Sequence, residues 1–103
     1  MVSPTGLTVK ALESDGWTVD VVERTIPKTF IKKDLFGFID VLAVKDDVTI
    51  GIQATSDSNV SARVKKIADH QHIGAVRQAG WRVEVWGWKK GHDAKPWRVV
   101  DCS

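Results

Sequence analysis

The chain has 103 residues, 43% hydrophobic and 27% charged, which is the composition of a globular domain with a core of its own rather than a disordered tail. Fifteen basic residues against 13 acidic ones leave a net charge of +2 and a pI near 8.8, which permits contact with nucleic acid but does not demand it. No run approaches the roughly 18 apolar residues of a membrane span, the N-terminus carries no basic region followed by an apolar stretch, and Cys102 is alone, so one cytoplasmic domain covering residues 1–103, away from any membrane, is expected.

Ser3-Pro4 opens a helix, with Ser3 as N-cap and Pro4 in the first position; Leu7, Ala11 and Leu12 share a face, and Gly16 is the stop. Gly6 and Thr8 weaken it. Trp17–Glu23 alternates as a first strand, and a loop follows through Pro27 to the basic pair Lys32-Lys33 and Asp34. The apolar run Leu35–Val44 is expected to be a second strand buried on both faces, turning at Lys45-Asp46-Asp47 into a third, Val48–Thr55. Ser58 or Asn59 caps one long helix, Val60–Ala79, with a bend at Gly74 and an end at Gly80. Trp81–Trp88 is a fourth strand and Pro96–Val100 a short fifth. The order α-β-β-β-α-β plus a small C-terminal strand describes an α/β domain, a mixed sheet flanked by helices.

Asp40 interrupts the second strand. A carboxylate in so apolar a run is costly unless it is paired, hydrogen-bonded or bound to a metal. Period-two alternation puts Asp40 on one face with Phe36, Phe38, Leu42 and Val44, and Gln53 with Thr49, Gly51 and Thr55. Asp40 and Gln53 lie at similar distances from the hairpin turn, so they are expected to be near neighbours across the ladder. One Asp and one amide carbonyl suit a hard cation such as Mg²⁺; a buried Asp that only bonds loop backbone is the alternative. Asp34 either caps the turn or adds a carboxylate to that cluster. Lys32 and Lys33 are either a solvated pair or phosphate contacts. Arg63, Lys66 and His70 line one side of the long helix, as phosphate ligands beside a metal or as an exposed face. His70 and His72 are spaced wrongly for a helical metal pair. Trp86 and Trp88 share a sheet face, either covering the core or stacking bases.

The stretches Phe36-Gly37-Phe38-Ile39-Asp40-Val41-Leu42-Ala43 and Ile50-Gly51-Ile52-Gln53-Ala54-Thr55-Ser56, followed by Asn59, Ala62, Arg63 and Lys66, resemble the PD-(D/E)XK nuclease superfamily, and within it small Holliday-junction-resolvase-like members of phage or bacterial type. The resemblance implies a restriction-endonuclease-like core and a DNA endonuclease using Mg²⁺ or Mn²⁺. Asp40 and Gln53 would be metal ligands and catalytic residues, Asp34 an outer ligand, and Lys32, Lys33, Arg63 and Lys66 phosphate contacts. Thr55 stands at the family's catalytic lysine position and supplies no charge, so Lys66 or Lys33 would replace it. The first-helix acid of the family falls on Gly6, with Glu13 the only acid on the helix. A homodimer is implied by analogy, since two strands need two sites. The alternatives are a non-catalytic member that binds nucleic acid or a protein, and a structural phage or mobile-element protein.

Overall fold

The computed structural model describes residues 3–103. Helix α1, Pro4–Ser14, begins as predicted: Ser3 Oγ accepts the Gly6 N–H at 3.1 Å, and Pro4 sits where a missing N–H costs nothing. Past its end Gly16 adopts φ +86°, which favours glycine. Thr8, a poor helix former, is fully buried and used twice. Its Oγ1 donates to the Pro4 carbonyl at 2.8 Å and accepts the indole N–H of Trp88 at 2.9 Å.

Strand β1 is Thr18–Val21, and a two-residue pair, β2 (Arg24–Thr25) and β3 (Lys32–Lys33), forms a separate hairpin. Strand β4 is Val41–Lys45 and β5 is Val48–Ser56; a 3-10 turn, Asp57–Asn59, leads to α2, Val60–Ala68, and α3, Ile73–Gln78; β6 is Arg82–Trp88 and β7 is Arg98–Asp101. The main sheet has the order β1-β4-β5-β6-β7, antiparallel except for the parallel pair β5–β6. It is a mixed five-stranded sheet in an α/β fold, and α1-β1-β4-β5-α2-β6 follows the expected α-β-β-β-α-β order. No helix among the described residues is long and apolar enough to cross a membrane.

Alternation along the strands builds two cores. Val41, Ala43, Ile50 and Ile52 pack with Leu12 of α1 on one face, and Val83 and Val85 pack with Val60, Ile67, Ile73 and Val76 of α2 and α3 on the other. Trp86 and Trp88 share the α1 face, their rings 6.4 Å apart, and Trp88 is buried, so the core-covering alternative describes it.

The structure departs from the sequence reading in four places. The apolar run is not one long strand. Residues 35–40 form a tight loop closed by a Leu35–Ile39 bridge, with Phe36 at φ +54° and Gly37 at φ +86°. Phe38 and Ile39 turn into the core while Phe36 stays exposed, so Phe36 and Phe38 do not share a strand face with Asp40. Nor is β4 buried on both faces, because Val44 is exposed. Apolar content alone does not distinguish a strand from a loop that packs.

The long helix is also two. In a continuous helix Ile73 and Val76 would lie about 240° and 180° around the axis from Ile67. The turn at residues 69–72 redirects the chain, so all three enter one core. His70 leaves the α2 face, its ring 5.2 Å from that of Phe38, and does not line up with Arg63 and Lys66. The third departure is the hairpin, which makes a strand of Lys32-Lys33 where a loop was expected. The fourth is in the strand bounds, with β1 and β6 shorter than predicted and β7 running from Arg98.

A candidate metal centre at one end of the sheet

Strand directions bring the C-terminal ends of β1, β5 and β6 and the N-terminal ends of β4 and β7 to the same edge of the sheet. Asp40 stands there, immediately before β4. Its N–H donates to the Ile52 carbonyl at 3.0 Å and its carbonyl accepts the Val22 N–H at 2.9 Å, so the backbone is held by both neighbouring strands. The side chain, 3% exposed, accepts from Gln53 Nε2 at 2.6 Å and from the Ala54 N–H at 3.1 Å, both at Oδ2. The expected Asp40–Gln53 pair across the ladder is therefore present.

Gln53 is 2% exposed, and among the described residues its carbonyl oxygen, Oε1, is buried with no hydrogen-bond partner. A buried acceptor without a partner costs on the order of 1–3 kcal/mol. Beside it, carboxylate oxygens of Glu23, Asp34 and Asp40 lie within 4.8 Å of one another. Asp34, expected either to cap a turn or to join the cluster, has its side chain in the group, while its backbone carbonyl accepts the Gly37 N–H at 3.0 Å in the turn of the loop.

Like charges at this spacing and a dry setting oppose ionisation. Burial, and then the Asp34 side chain as hydrogen-bond partner and as charge, push the Asp40 carboxyl up to about 8, with the Ala54 N–H acting the other way. Two lysines answer the acids: Lys66 Nζ lies 3.8 Å from Asp34 Oδ2, and Lys32 Nζ 3.3 Å from Glu23 Oε1. Arg63, Lys32, Glu23, Thr55, Ser56 and Asn59 line an open cavity of about 480 Å³ beside the cluster, walled on its other side by the start of α1. Thr55 is buried on that wall. Lys33 lies across from Arg24 in the hairpin and, among the described residues, makes no ion pair with the acids.

Three carboxylates and an amide carbonyl are all hard oxygen donors, the set that suits Mg²⁺ or Mn²⁺, and the orphaned Oε1 is an acceptor that a cation would satisfy. The residues fit the ion. Glu23 is the member that the sequence reading missed, having assigned it to the end of a strand. The signal was the β1–β4 register: Val22 opposes Asp40, so the next residue reaches the same edge. Glu13 lies exposed towards the far end of α1, and the start of that helix brings no acid to the cavity; the third carboxylate of the cluster comes from Glu23, just past the end of β1. No protein-family model, curated protein or solved structure matches this chain.

Proposed function

We propose that this chain is a small nuclease with a restriction-endonuclease-like core, hydrolysing DNA phosphodiesters in the manner of a resolvase with Mg²⁺ or Mn²⁺. The observation that carries the reading is the convergence of Glu23, Asp34 and Asp40 beside the unpartnered Oε1 of Gln53. Asp40, Asp34 and Glu23 would hold the ion, with Gln53 turning its carbonyl to it. When bound, such an ion lowers the pKa of a water and stabilises charge on the phosphoryl group.

The chain's own residues do the rest. Before loading, Gln53 Nε2 and the Ala54 N–H fix the Asp40 carboxyl; on loading the carboxyl gives up its proton and the Ala54 N–H holds it once Gln53 has turned. Lys66 holds Asp34 and stands in for the charge that Thr55 lacks; Arg63 and Lys32 take phosphate oxygens at the cavity, and Lys33 steers from the hairpin. A homodimer, presenting two sites to two strands, belongs to the same proposal, and its solution mass should be twice 11.4 kDa.

The test is cleavage of labelled duplex, single-stranded and four-way-junction DNA with Mg²⁺ or Mn²⁺, with Asp40→Asn alongside. Cutting by the wild type alone is expected; equal cutting by the variant removes Asp40 from the chemistry. A second reading, a non-catalytic domain of this architecture that binds nucleic acid or a protein, is favoured by one observation, the neutral Thr55 in the lysine position. Binding that survives EDTA with no cutting in either metal would select it.

A further inference from the structure

Two connections leave the sheet edge on opposite sides of the acid cluster. On the β1 side the β2–β3 hairpin spans residues 24–33, whose only charges are the cations Arg24, Lys28, Lys32 and Lys33. Its feet are the cluster itself, because Glu23 precedes β2 and Asp34 follows β3. On the other side the β6–β7 connection, residues 89–97, carries Lys89, Lys90 and Lys95 against the single acid Asp93. Strand order places β4 and β5, and so Asp40 and Gln53, between the two. From β1 to β6 is three inter-strand steps, about 14 Å, which is a few nucleotides of one strand.

Each connection also presents an aromatic ring. Phe30 is 97% exposed at the hairpin tip and adopts φ +57°, a conformation uncommon for a bulky residue. Local bonds hold it there: Ile26 N–H donates to the Ile31 carbonyl at 2.7 Å, and Thr29 Oγ1 to the Ile26 carbonyl at 2.9 Å. Lys28 in the same turn has φ +66°, so the conformation belongs to the hairpin tip, and it leaves the Phe30 ring packed against no part of the core. Trp97 is 50% exposed, its backbone N–H donating to the Gly87 carbonyl; Lys89 Nζ lies over the ring, 4.3 Å from its centre, and the His92 ring packs 4.6 Å away, so a stacked base would take the place of one of them. The cavity beside the acids shares Pro4 and Ser56 with the one lined by Lys89 and Lys90, so the acid cluster and the first lysines of the β6–β7 connection border one surface.

We infer that these two arms grip one nucleic-acid strand with unpaired bases on either side of the acid cluster, the lysines taking phosphates and Phe30 and Trp97 stacking bases. The inference rests on the nuclease reading only for which phosphate lies over the acids. Stacking tolerates any base, and a duplex would hide the base faces the two rings need, so the substrate class is single-stranded or locally opened nucleic acid rather than intact duplex.

The test is fluorescence anisotropy of the full chain with a labelled 15-nucleotide strand and with the same sequence as duplex, at low salt in EDTA. Tighter binding to the single strand is expected. Phe30→Ala and Trp97→Ala should each weaken it by about fivefold or more and leave duplex binding unchanged, while Trp97→Phe restores it. Lys89→Ala with Lys90→Ala should flatten the salt slope by about 1.4. Wild-type affinity in both aromatic variants, or a preference for duplex, overturns the inference, and because Phe30 packs on nothing its variant decides even if Trp97→Ala is unstable. Single-strand binding through both rings with no cutting in Mg²⁺ keeps this inference and sinks the hydrolytic reading; cutting by a protein indifferent to both rings does the reverse.

Discussion

Asp40 is held by two donors yet sits where burial and Asp34 oppose its ionisation, and that conflict has a measurable sign. Its folded value, about 8, lies above the ordinary 3.8, so between those values the folded chain binds more protons than the unfolded one. This group's contribution is complete below about pH 4 and is lost as pH rises towards 8. Urea unfolding in EDTA from pH 5 to 9 should show wild-type stability falling against that of Asp40→Asn, which keeps the acceptor without the charge. Parallel curves would remove the effect. The same proton competes with a cation, so the affinity for Mg²⁺ measured by calorimetry should rise with pH through about 8, with proton uptake by the buffer; a pH-independent affinity would place the ion elsewhere.

Individual elements depend on a few close contacts. Gly37 turns the 35–40 loop at φ +86°, and a Cβ there would strike the His70 ring, so Gly37→Ala carries both strain and a clash. A loss of about 2 kcal/mol or more is expected by denaturant titration, with weaker metal binding because the loop sets Asp34 and Asp40. Gly51 lets β4 and β5 pass beneath Ile39, whose Cδ1 would lie 2.6 Å from an added Cβ; Gly51→Ala should cost about 1–3 kcal/mol. Between α1 and β6, Thr8→Val keeps the shape but orphans the Trp88 N–H, a loss of about 1–3 kcal/mol. An unchanged midpoint in that variant would mean that the indole finds another acceptor.

At the scale of the whole molecule, a net charge of only +2 conceals an uneven distribution. Lys32, Arg63, Lys66, Lys89 and Lys90 all stand at or beside the acid-bearing edge of the sheet. Nucleic-acid affinity should therefore be steeply salt-dependent despite the small total charge. Arg63→Ala with Lys66→Ala should weaken single-strand binding similarly across sequences and lower the slope of log affinity against log salt by about 1.4. An unchanged slope would take α2 out of the interface.

Local chemistry was enough to derive much of this protein from its sequence. Ser3-Pro4 starts α1, Lys45-Asp46-Asp47 turns β4 into β5, and the Asp40–Gln53 neighbourhood follows from counting along a hairpin. These features rest on interactions within a few residues or across one turn, where periodicity and capping speak directly. Tertiary structure decided the rest. It broke the long helix because Ile73 and Val76 must face the same core as Ile67, and it folded Leu35–Asp40 into a loop because Phe38 and Ile39 pack there rather than along a strand. It also brought Glu23 to Asp40 through the β1–β4 register, and set Lys66 and Lys32 against the acids from two different elements. Those contacts join residues distant along the chain, and their partners are chosen by packing, which no local pattern encodes.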